Sequence, residues 1–122
     1  MTTLTEGKTP GDFLLFEENS QYSRDLVTIG SGANLEPGTV LGQITATKKF
    51  VASVETANDG SEVAVAVLRT PAPAENQDVE AVIQARHTTV RRGGLTWHSS
   101  YDNEAKRDAA VAELKQQGII AN

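Results

Sequence analysis

Apolar and polar positions alternate in short runs over most of this chain, the two-residue period of half-buried strands. Residues 25–29 read as a strand through Leu26, Val27 and Ile29, and Gly30-Ser31-Gly32-Ala33-Asn34 after them as turn chemistry. Pro37-Gly38 fits the centre of a type II turn. Residues 39–45 form a β-branched run with Gly42 in its middle, and a glycine inside a strand marks a bulge or a sharp bend. Lys48-Lys49 is the next turn, Phe50-Val51-Ala52-Ser53-Val54 the return strand, and Asn58-Asp59-Gly60-Ser61 another tight turn. Residues 62–68 read as a mostly apolar strand and residues 70–78, with Pro71 and Pro73, as a loop. Residues 79–87 set Val79, Ala81, Ile83 and Ala85 against Glu80, Gln84 and Arg86, and Arg91-Arg92-Gly93-Gly94 is a basic turn.

One stretch changes period. Ala110, Val111 and Leu114 form a helical apolar stripe, with Asp102 as the expected N-cap, Glu104 in the first turn and Lys115 near the end. Gly118 is the expected stop, and Ile119-Ile120 are expected to fold back as a hydrophobic tail. Many short strands followed by one short C-terminal helix predict a mostly β domain, barrel-like or a bent ribbon.

Residues 1–12 show neither period and read as a flexible polar arm. The arm runs into Phe13-Leu14-Leu15-Phe16, an apolar cluster followed at once by Glu17 and Glu18. Two readings stand: a first strand or plug on the domain's own core, or an anchor presented to a partner.

Length and composition narrow the function classes. The 122 residues predict one domain, burying roughly two-thirds of its unfolded surface. Aromatics are few, so the core is thin, and association with further copies or a partner is an expected source of stability. A net charge of -5 argues against nucleic acid or an anionic membrane as partner. The absence of cysteine excludes disulfides, thiolate metal sites and a cysteine nucleophile. No apolar run approaches the roughly 20 residues of a membrane span, and the first residues lack a signal-peptide pattern, so folding in the cytoplasm is expected.

Candidate chemistry fails on spacing. His87 and His98 are the only histidines and lack a metal-ligand interval, and Asp59, Asp78 and Asp102 sit at predicted turns or a cap. Ser99-Ser100 beside His98 does not make a triad, because sequence neighbours rarely meet in nucleophile geometry. Glu17 and Glu18 would point to opposite faces of a strand. Gly30-Ser31-Gly32 and Gly93-Gly94 open no helix, so neither is expected to cradle phosphate. The expectation is a binding or structural protein with no catalytic residues, no metal and no cofactor.

Ordered blocks carry more than this pattern. Tyr22-Ser23-Arg24-Asp25, Val27-Thr28-Ile29, Gly32, Leu35, Gly38-Thr39-Val40-Leu41-Gly42 and Ile44-Thr45-Ala46-Thr47 together resemble the start of the lambda-type bacteriophage head decoration proteins. Asp59-Gly60-Ser61 with Ala66-Val67-Leu68, then residues 78–82 with Arg86-His87, Leu95 and Trp97, then Ala110-Val111-Ala112-Glu113-Leu114 with Gly118-Ile119, continue the likeness. It covers about residues 20–120, and residues 1–19 carry no recognisable motif of it.

The resemblance implies a bent β-ribbon (β-clip-like) fold with one short C-terminal helix and a flexible N-terminal arm over residues 1–19, ahead of a single domain over 20–122. It implies a homotrimer on the outer surface of the expanded phage head at local threefold sites, made in the host cytoplasm, whose partner is the major capsid protein. There it would strengthen the shell against packaged DNA. The arm is the expected grip, through Leu4, Pro10, Phe13, Leu14, Leu15 and Phe16. One alternative is a cellular β-ribbon ligand-binding module using stacked Trp97 and Tyr101; another is an enzyme of the dUTPase type, needing a carboxylate and serine cluster at subunit joints.

Overall fold

The computed structural model describes residues 13–17 and 23–122 of the chain. They form a mostly β domain with one helix near the C-terminus, as the periodicity predicts. The strands are β1 (Leu14–Glu17), β2 (Arg24–Ile29), β3 (Ala33–Leu35), β4 (Val40–Gln43), β5 (Phe50–Ala52), β6 (Ala66–Leu68), β7 (Ala72–Ala74), β8 (Val79–Gln84), β9 (Thr88–Val90) and β10 (Ile119–Ala121). The helix α1 spans Glu104–Gln116.

Five strands close into a barrel in the order β2-β5-β4-β6-β8. The longest seam pairs β2 with β8, antiparallel, from Arg24 opposite Gln84 to Ile29 opposite Val79. Opposed residues share a face, so Val27 and Ile29 turn inward with Val79, Ala81 and Ile83, while Leu26 and Thr28 face out with Val82 and Glu80. Closure removes the strand edges of an open sheet.

Strands β4 and β6 are buried on both faces. Val40 pairs with Val67, and both belong to a cluster with Phe13, Val90, Leu95, Tyr101, Ala110, Leu114 and Ile119. Their neighbours Leu41, Ala66 and Leu68 point the other way, into the barrel, with Ile29, Ala81 and Ile83. The two-residue period of one strand pair thus divides two cores.

Gly42 is needed for a close approach rather than a bulge. The β4–β5 register runs unbroken through it, and a Cβ there would stand 2.2 Å from the Ser61 carbonyl oxygen. Two segments read as turn or loop pair with each other: β3 and β7 form a two-stranded ribbon, with Asn34 opposite Pro73. Pro73 is exposed between buried Ala72 and Ala74, an edge position where no N–H is required. The run expected to be a strand over 62–68 is regular only in β6.

The helix begins one residue later than expected. Asn103 caps it, its side-chain oxygen accepting from the Lys106 amide at 3.0 Å, while Asp102 pairs instead with the Lys106 ammonium at 3.1 Å. Gly118 ends the turn at φ +82. Beyond it, Ile119-Ile120 do fold back, as strand β10 parallel to β9, a strand lying between the run expected over residues 79–87 and the basic turn at 91–94.

Candidate functional site

Strand β9 lies at the centre of a three-stranded sheet, with β1 on one side and β10 on the other. Leu14 faces Val90, and Glu17 faces Thr88; on the far side Ala121 faces Val90 and Ile119 faces Thr88. These rows turn toward the core, where Val90 and Ile119 are fully buried and Leu14 and Ala121 pack against them. The row between them faces out: Phe16 and Ile120 both lie opposite Thr89. The register of β1 slips between Leu14 and Phe16. Such a slip puts two consecutive side chains on one surface, and Leu15 and Phe16 are 46% and 61% exposed, with Ile120 at 40%.

The Phe13-Leu14-Leu15-Phe16 cluster is therefore divided. Phe13 is a core residue at 0% exposure, and its carbonyl accepts from the Arg91 amide at 2.6 Å. The first-strand reading holds for Phe13 and Leu14, so Phe13 is not a presented anchor. The reason is the strand itself: its inward positions fill a gap beside Val40, Val90 and Leu114. Leu15 and Phe16 stay outside. Leu4 and Pro10, with the rest of residues 1–12 and with Glu18 and Asn19 of the expected arm, lie outside the described residues.

A polar clasp fixes the far end of β1. Glu17 accepts from Arg24 Nε at 3.0 Å and from a second guanidinium nitrogen, and from Gln84 Nε2 at 3.0 Å. Gln84 is fully buried yet satisfied: its Nε2 also donates to Thr88 Oγ1 at 3.0 Å, and its Oε1 accepts from Arg69 Nη1 at 2.9 Å. The Arg24 guanidinium holds the Glu17 carboxyl below the usual glutamate range; burial opposes this, and Gln84 and the Arg69 charge reinforce it. The strand is pinned by apolar packing at Phe13 and Leu14 and a charged clasp at Glu17, and Leu15 and Phe16 between them are presented.

The other candidate chemistry is structural. His98 Nδ1 accepts from the Ser100 amide at 3.1 Å in a local turn, and the Ser100 hydroxyl oxygen accepts from the Glu55 amide at 2.9 Å. Asp59 is held ionised by the Ser61 hydroxyl and amide, and Asp78 by Lys49 and the Ser31 amide, each in its turn. Trp97 and Tyr101 do meet, with ring centroids 5.2 Å apart and planes tilted by 50°. Tyr101 is buried, however, and its hydroxyl is 2.8 Å from Ser53 Oγ, so the pair offers no open stacking platform. In the concavity between the barrel and the end of α1, Asp25 and Arg86 are engaged with each other in a two-pronged pair. Among the described residues no three His, Asp or Glu side chains gather as a metal site.

Sequence comparison decides the family. The model of the bacteriophage lambda head decoration protein D family matches residues 3–119 of the 122. The chain belongs to that family. No curated protein matches it. The family match begins at residue 3, ahead of the blocks over residues 20–120 that carry the resemblance, so it takes in most of the segment in which no motif was recognised. The family is a structural one of the phage capsid, not an enzyme family, which makes this a virion protein that binds the phage capsid. Sequence reasoning found Leu15 and Phe16 as an apolar cluster but did not place Thr89 and Ile120 beside them. The only signal for Ile120 was its place after a helix-ending glycine, which does not say which side of a strand it takes.

Proposed function

We propose that this head decoration protein binds as a homotrimer to the outer surface of the expanded phage head, at local threefold sites, and stabilises the shell against packaged DNA without catalysing a reaction. The match over residues 3–119 carries this reading. The major capsid protein is the partner, and neither nucleic acid nor membrane is, in keeping with a net charge of -5. Synthesis takes place in the host cytoplasm before attachment. The grip runs from Leu4 and Pro10 through Leu15 and Phe16, with Phe13 and Leu14 holding the strand in place rather than touching the shell. Three linked arms gain avidity that one arm lacks.

Purified protein mixed with expanded and unexpanded heads tests this. Saturable, stoichiometric co-sedimentation with expanded heads alone is expected. Equal binding to both forms, or none, overturns the reading. A purely monomeric species by analytical ultracentrifugation at high concentration overturns its trimer clause.

A further inference from the structure

The barrel closes most thinly between β2 and β5, where Ile29–Phe50 is the one strand pair among the described residues. On its other side β2 is paired with β8 along its whole length. The Ser23 carbonyl accepts from the Ala85 amide at 2.8 Å, and the antiparallel alternation that follows turns the Leu26 amide and carbonyl away from β8, toward the thin seam. No described strand covers them there. The Leu26 side chain stands on the outer face of the same stretch and is 66% exposed, more than any other large apolar side chain described.

The other end of this seam is hollow. Phe50 packs into the barrel, so Val51 faces outward. Its Cγ1 lies 3.1 Å from where a Cβ on Gly30 would stand. With Leu35, Ile44, Val54 and Ala57 it lines a trough of about 360 Å³, in which Asp59 and His98 are the only ionisable neighbours. We propose that the seam between copies is built here, Leu26 of one copy entering the trough of the next. The proposal deepens the homotrimer reading and rests on it. A closed threefold ring is heterologous, so each copy must offer two unlike patches, one to each neighbour. A single self-complementary patch gives a twofold dimer instead. An exposed knob and an aliphatic hollow on the outer surface of two neighbouring strands form such an unlike pair, and both turn to one side of the barrel, as contact around an axis requires. An apolar anchor seated in a pocket is the usual centre of an interface of about 800 Å² per partner. No residue of the segment proposed to grip the head lines the trough, so seam and grip are separate surfaces.

The chain has no cysteine, so thiols can be placed singly or in pairs. Leu26→Cys and Ala57→Cys combined in one full-length chain, mildly oxidised where the unaltered chain is assembled, should run as a covalent trimer without reductant, and either variant alone as a single chain. Single chains from the double variant, a covalent dimer from Leu26→Cys alone, or a ladder running beyond three overturns the proposal. Leu26→Lys gives a second readout: a folded protein by circular dichroism whose half-assembly in analytical ultracentrifugation moves to at least tenfold higher concentration. Val63→Lys, at an exposed apolar residue outside the trough, should assemble like the unaltered chain. Equal shifts in the two lysine variants, or none in either, overturn the proposal alone. An unaltered chain that sediments as a monomer at every concentration sinks the homotrimer reading instead, and this proposal with it.

Discussion

The two apolar clusters are assembled from different parts of the chain. The buried members of the barrel cluster lie between Ile29 and Ile83 and are all aliphatic, four of them alanines, with Phe50 packed against them only partly buried. The cluster beneath the three-stranded sheet gathers the chain's ends, with Phe13 from before the barrel and Val90, Tyr101, Leu114 and Ile119 from after it, against Val40 and Val67 on the barrel's back. Small side chains let barrel strands close tightly. The second cluster includes two buried aromatics, Phe13 and Tyr101, so it depends more on single residues.

Breaking that dependence is the strongest test. Phe13→Ala should cost about 3–5 kcal/mol in urea denaturation, because it removes a fully buried aromatic. A loss below about 1 kcal/mol would mean that the end cluster does not rely on Phe13. Gly42→Ala strikes the barrel side, where the new methyl would meet the Ser61 backbone, and should cost about 2–3 kcal/mol. A neutral result would show that the crossing segment shifts freely.

Glu17→Gln should cost about 1–2 kcal/mol, since it removes the charge facing Arg24 and Arg69. It also tests a sign. The folded Glu17 carboxyl titrates below its usual range, so its contribution is complete above the ordinary glutamate pKa and disappears as pH falls through the lowered folded value. Acid titration of unfolding should therefore be shallower in Glu17→Gln than in the unaltered chain; parallel curves would remove the clasp from the account. Phe16→Ser has the smallest effect on stability, within about 0.5 kcal/mol, yet should abolish tight binding to heads. If Phe16→Ser melts the domain as Phe13→Ala does, the division of that cluster is wrong.

Elements whose apolar runs stand clear of turn residues were legible from sequence: β2, β4, β5, β8 and α1 lie close to their expected places. The three-residue strands β3, β7 and β9 were not, because three residues carry too little alternation to outweigh Gly30, Gly32, Pro73 or Arg91-Arg92 nearby. Asp102 and Asn103 are both good caps, and only the fold decides between them. At the site, the apolar cluster was visible but its two faces were not. Which of Phe13 and Phe16 is buried depends on the register slip in β1, set by pairing with a strand more than seventy residues away.

The arrangement of β1 and β10 around β9 has a topological consequence. Leu14 and Ala121 flank Val90 from opposite sides. Two interstrand spacings separate them, about 10 Å, which about three extended residues can bridge. Residues 13–122 could thus be closed into a ring and reopened at the exposed turn around Asn58, giving a circular permutant with its sheet intact and its new ends on another surface. Such a molecule would carry the folded domain without the preceding segment, and would separate what each contributes to attachment.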